Sequence, residues 1–106
     1  MENEAGLYTE IEHHHAVINR SADGDWIFQL DNGCVLVVYN PCDWFDAAGA
    51  SSPPPAGGLI DGVRVVGNRF VIEFRDGIRA EVDVSDEAYS GPEAMVLHRS
   101  GDAIVL

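Results

Sequence analysis

Lysine is absent from this sequence, and arginine supplies all six basic residues: Arg20, Arg64, Arg69, Arg75, Arg79 and Arg99. They are scattered, with no aromatic stacking motif among them, which argues against nucleic acid as a partner. Long apolar runs are missing too. None approaches the roughly 20 residues a helix needs to cross a bilayer, so no membrane is expected as a partner. The first residues, MENEAGLYTEIE, are acidic and lack the basic and apolar blocks of an export signal; a cytoplasmic location is expected. Cysteine is limited to Cys34, in an apolar stretch, and Cys42, after Pro41. Without an export signal these read as free thiols rather than a disulfide, and with no partners at ligand spacing they make no zinc site. No nucleophile–base pair, phosphate-cradling glycine loop or metal motif is found. The chain is therefore read as a non-enzyme with no cofactor and no metal.

What the sequence has in abundance is negative charge. Eighteen Asp and Glu residues against six arginines give a formal net charge of −12 in 106 residues. Such a field repels nucleic acid and anionic lipid, and steers a basic partner toward the surface. The chain is nonetheless 46% apolar, too hydrophobic to remain disordered, and its length suits a single domain.

The pattern from residue 16 to residue 84 is that of strands: β-branched and aromatic runs punctuated by Gly, Asn and Asp. The expected organisation is one domain, 1–106. Residues 1–12 are loosely ordered, 16–39 form a first meander, and 40–58 form a Pro/Gly-rich surface loop. Residues 59–84 form a second meander, and 93–106 a C-terminal hairpin. In the second meander, a three-residue loop Arg75-Asp76-Gly77 pairs Phe74 with Ile78, Ile72 with Ala80 and Phe70 with Val82. A two-residue loop would instead set charged side chains opposite apolar ones. The same register in the first meander, around Asp31-Asn32-Gly33, pairs Leu30 with Cys34, Phe28 with Leu36 and Trp26 with Val38. Its other face carries Ile27, Val35 and Val37, which predicts that these are covered by the opposite sheet, the Pro-rich loop or a second subunit. Residues 27–38 align with 71–82 without a gap, at a period of 44, as in an internal duplication. The fold class is thus all-β, with two similar antiparallel meanders forming a small sandwich or a partly open barrel.

Three constellations are candidates for function. His13-His14-His15 alternate between faces if on a strand, so at most two converge on one ion. Asp43-Trp44-Phe45-Asp46 places two large aromatics between carboxylates; the rings either anchor a partner or fold back over the first sheet. Asp83, Asp86, Glu87 and Glu93, with Tyr89, form an acidic stretch around a turn, and with no catalytic companion they read as a solvated acidic face. The last two sets are the expected partner-binding residues.

The second half, from Asn68 to Val84 with Ala88-Tyr89, Glu93 to Leu97 and Asp102 to Val105, resembles a family of small uncharacterised bacterial β-domains. These carry a strand–Asp-Gly–strand unit, a Tyr/Glu-Ala stretch and a short final strand. Some of them are similar to immunity proteins that accompany secreted polymorphic toxins. The glycine- and tryptophan-containing tail of that family is not found here, and no functional residue carries over. The resemblance implies an immunity-type or antagonist protein, and with the net charge it predicts a basic toxin or nuclease as partner. A homo-oligomeric structural or ligand-binding β-domain, a homodimer through the first hairpin, is the second expectation.

Overall fold

The structure is a computed structural model that describes residues 10–85, 94–99 and 101–105. Its hairpins are set by their turns. Gly33 and Gly77 occupy left-handed backbone, at φ 87° and 93°, where glycine carries no steric penalty. The same two hydrogen bonds close a three-residue loop around each. Leu30 N–H donates to Cys34 O and Gly33 N–H to Leu30 O in the first; Phe74 N–H donates to Ile78 O and Gly77 N–H to Phe74 O in the second. Asn32 and Asp76 turn a side-chain oxygen back onto the N–H groups of Cys34 and Ile78. The resulting register is the one that the apolar alternation requires. Trp26 faces Val38 and Phe28 faces Leu36, while Phe70 faces Val82 and Ile72 faces Ala80.

Among the described residues nine strands follow: β1 (His15–Arg20), β2 (Trp26–Leu30), β3 (Val35–Val38), β4 (Cys42–Phe45), β5 (Gly57–Val66), β6 (Arg69–Phe74), β7 (Arg79–Asp83), β8 (Met95–Arg99) and β9 (Asp102–Val105). The fold is all-β. Its strands form one antiparallel sheet in the order β4-β7-β6-β5-β1-β2-β3-β8-β9, which is not closed into a barrel and has β4 and β9 at its edges. The long strand β5 joins the halves. Gly57–Leu59 pair with β1, and from Ile60 onward β5 pairs with β6, with a register shift between Ile60 and Gly62. A bulge bends a strand and raises its twist, and here it folds one half of the sheet over the other. Trp44 on β4 thereby meets Trp26 and Phe28 on β2, at ring-centroid distances of 5.3 and 5.9 Å. Phe28, Leu36, Val38, Ile60, Phe70, Ile72, Val82, Met95 and Leu97 are fully buried between the two inner faces.

The two halves repeat in space as well as in sequence. Matching β5 to β1, β6 to β2, β7 to β3 and β4 to β8 makes the sheet order read the same from both sides, with β9 added beyond β8. His15 and Leu59, 44 positions apart, face each other at the centre. A backbone bond repeats at that spacing, Asp31 N–H to His15 O and Arg75 N–H to Leu59 O, and the donors Tyr39 N–H and Asp83 N–H, also 44 apart, bond to the crossing segments at Ala94 O and Pro41 O. The strand after each meander crosses to the other half, so that β4 pairs with β7 and β8 with β3. The meanders are interlocked rather than stacked side by side.

This crossing corrects the reading of 40–58 as a surface loop. Cys42–Phe45 is an edge strand, and only the chain beyond it is irregular. That remainder is held in place. The Asp46 carboxylate accepts from the N–H groups of Ala48 and Ala50 at 2.9 and 3.0 Å, Ser52 N–H donates to Trp44 O, and Ile18 N–H donates to Ala56 O.

Candidate binding cleft at the crossover end

The expected partner-binding residues separate once placed on the fold. Trp44 is corrected: on β4 its side chain alternates inward with Cys42, leaving it 5% exposed and packed on Phe28, Trp26 and Phe74. It is a core residue and not an exposed anchor. Phe45 is half-buried, with the Arg79 guanidinium 5.9 Å from its ring. Asp46 is half-buried, and its carboxylate organises its own loop. Asp86, Glu87, Tyr89 and Glu93 lie outside the described residues. Asp43 and Asp83, from the two separate candidate sets, are brought together. Asp43 ion-pairs with Arg69 at 3.1 Å, and Asp83 faces Arg69 across the β6–β7 ladder.

Beside this pair is a cleft of about 530 Å³ lined by Arg20, Asp23, Gly24, Asp25, Trp26 and Tyr39–Asp43. It exists because the two halves differ in two places. The β5–β6 connection is the two-residue turn Gly67-Asn68, whereas β1 and β2 are joined by Ser21–Asp25; the longer loop raises Asp23 and Asp25 over the sheet end. The second difference is Asn40, whose 44-residue counterpart is the apolar Val84. The alternation that buries Leu36 and Val38 carries Asn40 inward as well, leaving it 3% exposed. Its Nδ2 donates to Asp83 O at 2.8 Å, tying the crossover to β7. Its Oδ1 is buried with no donor among the described residues.

Arg20 is the cleft's one basic side chain, and it is already engaged. Its guanidinium carbon lies 4.8 Å from the Trp26 ring centroid, and Nε–H donates to Gly24 O at 3.0 Å. Asp23 and Asp25 make no side-chain hydrogen bond or ion pair among the described residues. Burial, reinforced by the Asp43 charge, pushes the Cys42 thiol up to about 12, so at neutral pH it is neither a nucleophile nor a metal-ligating thiolate. Hydrogen bonds from the Ser85 hydroxyl and N–H hold the Asp83 carboxyl below its ordinary value.

The histidine run does not converge. His14 Nδ1 contacts the Asp31 carboxylate at 2.7 Å, His13 takes a positive φ of 67°, and His15 is exposed on β1. Among the described residues no three His, Cys, Asp or Glu side chains are placed to hold a metal ion. No helix among them is long and apolar enough to cross a membrane.

The outer faces of the two halves differ sharply. On the second, Arg64–Glu73, Arg69–Asp43 and Arg79–Glu81 ion pairs roof over Val71, which is 3% exposed. On the first, the matching positions are Asn19, Asp25, Gln29, Val35, Val37 and Val96, so that Asp25, just before β2, is the one charged residue among them. There Val17 is 47% exposed, and Ile27, Val35 and Val37 are half-buried within the chain.

Sequence reasoning missed Asp23, Asp25 and Asn40. The available signal was the comparison of the two repeats, in which a five-residue loop replaces a two-residue turn and an asparagine replaces a valine. Searches for a matching family model, a similar curated protein and a similar solved structure found none.

Proposed function

We propose that this chain is an acidic protein-binding module, an immunity-type antagonist that covers the working surface of a basic protein such as a toxin or nuclease. The observation that carries this reading is the crossover end of the sheet, where Asp23, Asp25 and Asp43 line one cleft. The rest of the molecule's charge supports it. Five of the six arginines are spent in surface ion pairs and the sixth lies on Trp26, so little positive charge opposes a basic partner. Steered association between such surfaces is fast and depends on salt. The resemblance of the second half to small β-domains, some of them similar to immunity proteins, points the same way, and Cys34 and Cys42, which form no disulfide, suit a reducing cytoplasm. The chain acts by occupying a surface and has no enzymatic role in this reading. The test is capture of partners from the native host at low salt. A basic protein released as salt rises through about 0.2 M is the expected result. Capture of acidic or neutral proteins alone, or binding indifferent to salt, would overturn it.

A second reading has an observation of its own. The outer face of the first half is uncharged along β2 and β3, where its counterpart is laced with ion pairs. In a molecule carrying −12, two copies can meet on that face while their carboxylates stay apart. Self-association there gives a homodimer of two sheets packed through Val17, Ile27, Val35 and Val37.

A further inference from the structure

The cleft lining is one-sided in its hydrogen-bonding chemistry. Three carboxylates, Asp23, Asp25 and Asp43, stand against one guanidinium, Arg20, which already lies on Trp26 and donates to Gly24 O. Asp43 is shared with Arg69, but Asp23 and Asp25 have no ion-pair partner among the described residues. Asn40, also in the lining, is 3% exposed, with an Oδ1 that no donor reaches among the described residues. A buried carbonyl left without a donor is unfavourable, so a ligand bringing an N–H group to it would recover that loss. Tyr39, 37% exposed, and Trp26 supply aromatic surface beside the acceptors. The volume, about 530 Å³, lies within the roughly 300–1,000 Å³ range of ligand pockets.

We infer that the cleft is a subsite for an arginine side chain of the partner, with Asp23 and Asp25 accepting its guanidinium and Asn40 Oδ1 accepting an N–H. A guanidinium fits better than an ammonium because it is planar, presents several donors in a fixed fork and stacks on aromatic rings. Arg20 on Trp26 shows that this end of the fold accommodates one. The inference rests on the reading of the chain as an antagonist of a basic protein, and names the side chain that its cleft receives.

The test is a titration of the intact chain with acetyl-Gly-Arg-Gly-amide, followed by backbone amide NMR. The controls are the same peptide with citrulline, which keeps the shape and loses the charge, and with lysine. The arginine peptide is expected to give saturable shifts confined to residues 20–26 and 39–43. The citrulline peptide should give none, and the lysine peptide should bind more weakly. Asp23→Asn with Asp25→Asn should weaken the arginine peptide about tenfold or more, while Asp61→Asn with Asp76→Asn, two carboxylates outside the cleft, should leave it unchanged. Equal binding of the citrulline peptide, shifts spread over the whole acidic surface, or equal losses in the two double variants would overturn the subsite. A basic protein that still binds in a salt-dependent way while the arginine peptide does not seat removes the subsite and leaves the antagonist reading. A peptide that seats when no basic protein is captured does the reverse.

Discussion

A Cβ on Gly77 would lie 2.6 Å from the Cβ of Ala47, whereas one on Gly33 would meet nothing within 4 Å. Both glycines have the same left-handed backbone, so their alanine variants separate backbone strain from a clash. Gly33→Ala is expected to cost about 1–2 kcal/mol, the penalty of an L-residue in that region. Gly77→Ala should cost clearly more, because the loop that follows β4 must shift; urea unfolding of the two variants measures the difference. Asp31 gives a second test at this scale. The His15 N–H, then the His14 side chain, hold its carboxyl below the ordinary value of 3.8. A carboxyl depressed in the folded state contributes stability that is present above the ordinary value and lost as pH falls through the folded one. Asp31→Asn should therefore be less stable at neutral pH, yet lose less than the parent between pH about 4 and pH about 2. Urea midpoints across that range check it.

At the scale of elements, β4 and β8 decide whether the halves hold together, because each crosses from its own meander to the other. Trp44 on β4 pairs with Ala80, and Leu97 on β8 pairs with Leu36, so the two side chains occupy matching places in the repeat. Trp44→Ala should cost about 3–5 kcal/mol and Leu97→Ala about 2–5, read as a lowered urea midpoint with one cooperative transition. A loss near zero for Trp44→Ala would mean that the ring is not in the core. The hairpins themselves were legible from residues alone, since only the register that pairs Phe70, Ile72 and Phe74 with Val82, Ala80 and Ile78 keeps charged side chains from facing apolar ones, and Gly77 fixes the loop length. The strand β4 was not. Its four residues sit between Pro41 and a stretch of small residues and prolines, and its alternation of Cys42 and Trp44 with Asp43 and Phe45 is too short to outweigh those breakers. The cleft escaped for a related reason. Asp23 and Asp25 read as ordinary turn residues until the sheet places their loop beside Asn40.

For the molecule as a whole, the duplicated halves share a core and differ outside it. One outer face is laced with ion pairs, the other is uncharged along β2 and β3, and one sheet end carries the acidic cleft. Self-association through the uncharged face predicts a dimer by light scattering, returned to monomer by Val17→Glu with Val37→Glu, both on that face. A monomer at every concentration removes that second reading without touching the cleft. The central claim is that the crossover end receives a basic protein. Its most direct measurement is the association rate of the captured partner against salt, for the parent chain, for Asp23→Asn with Asp25→Asn, and for Asp61→Asn with Asp76→Asn. The account predicts a rate that falls several-fold and a flatter salt dependence in the cleft variant alone. Equal effects in both variants, or none in either, would contradict it.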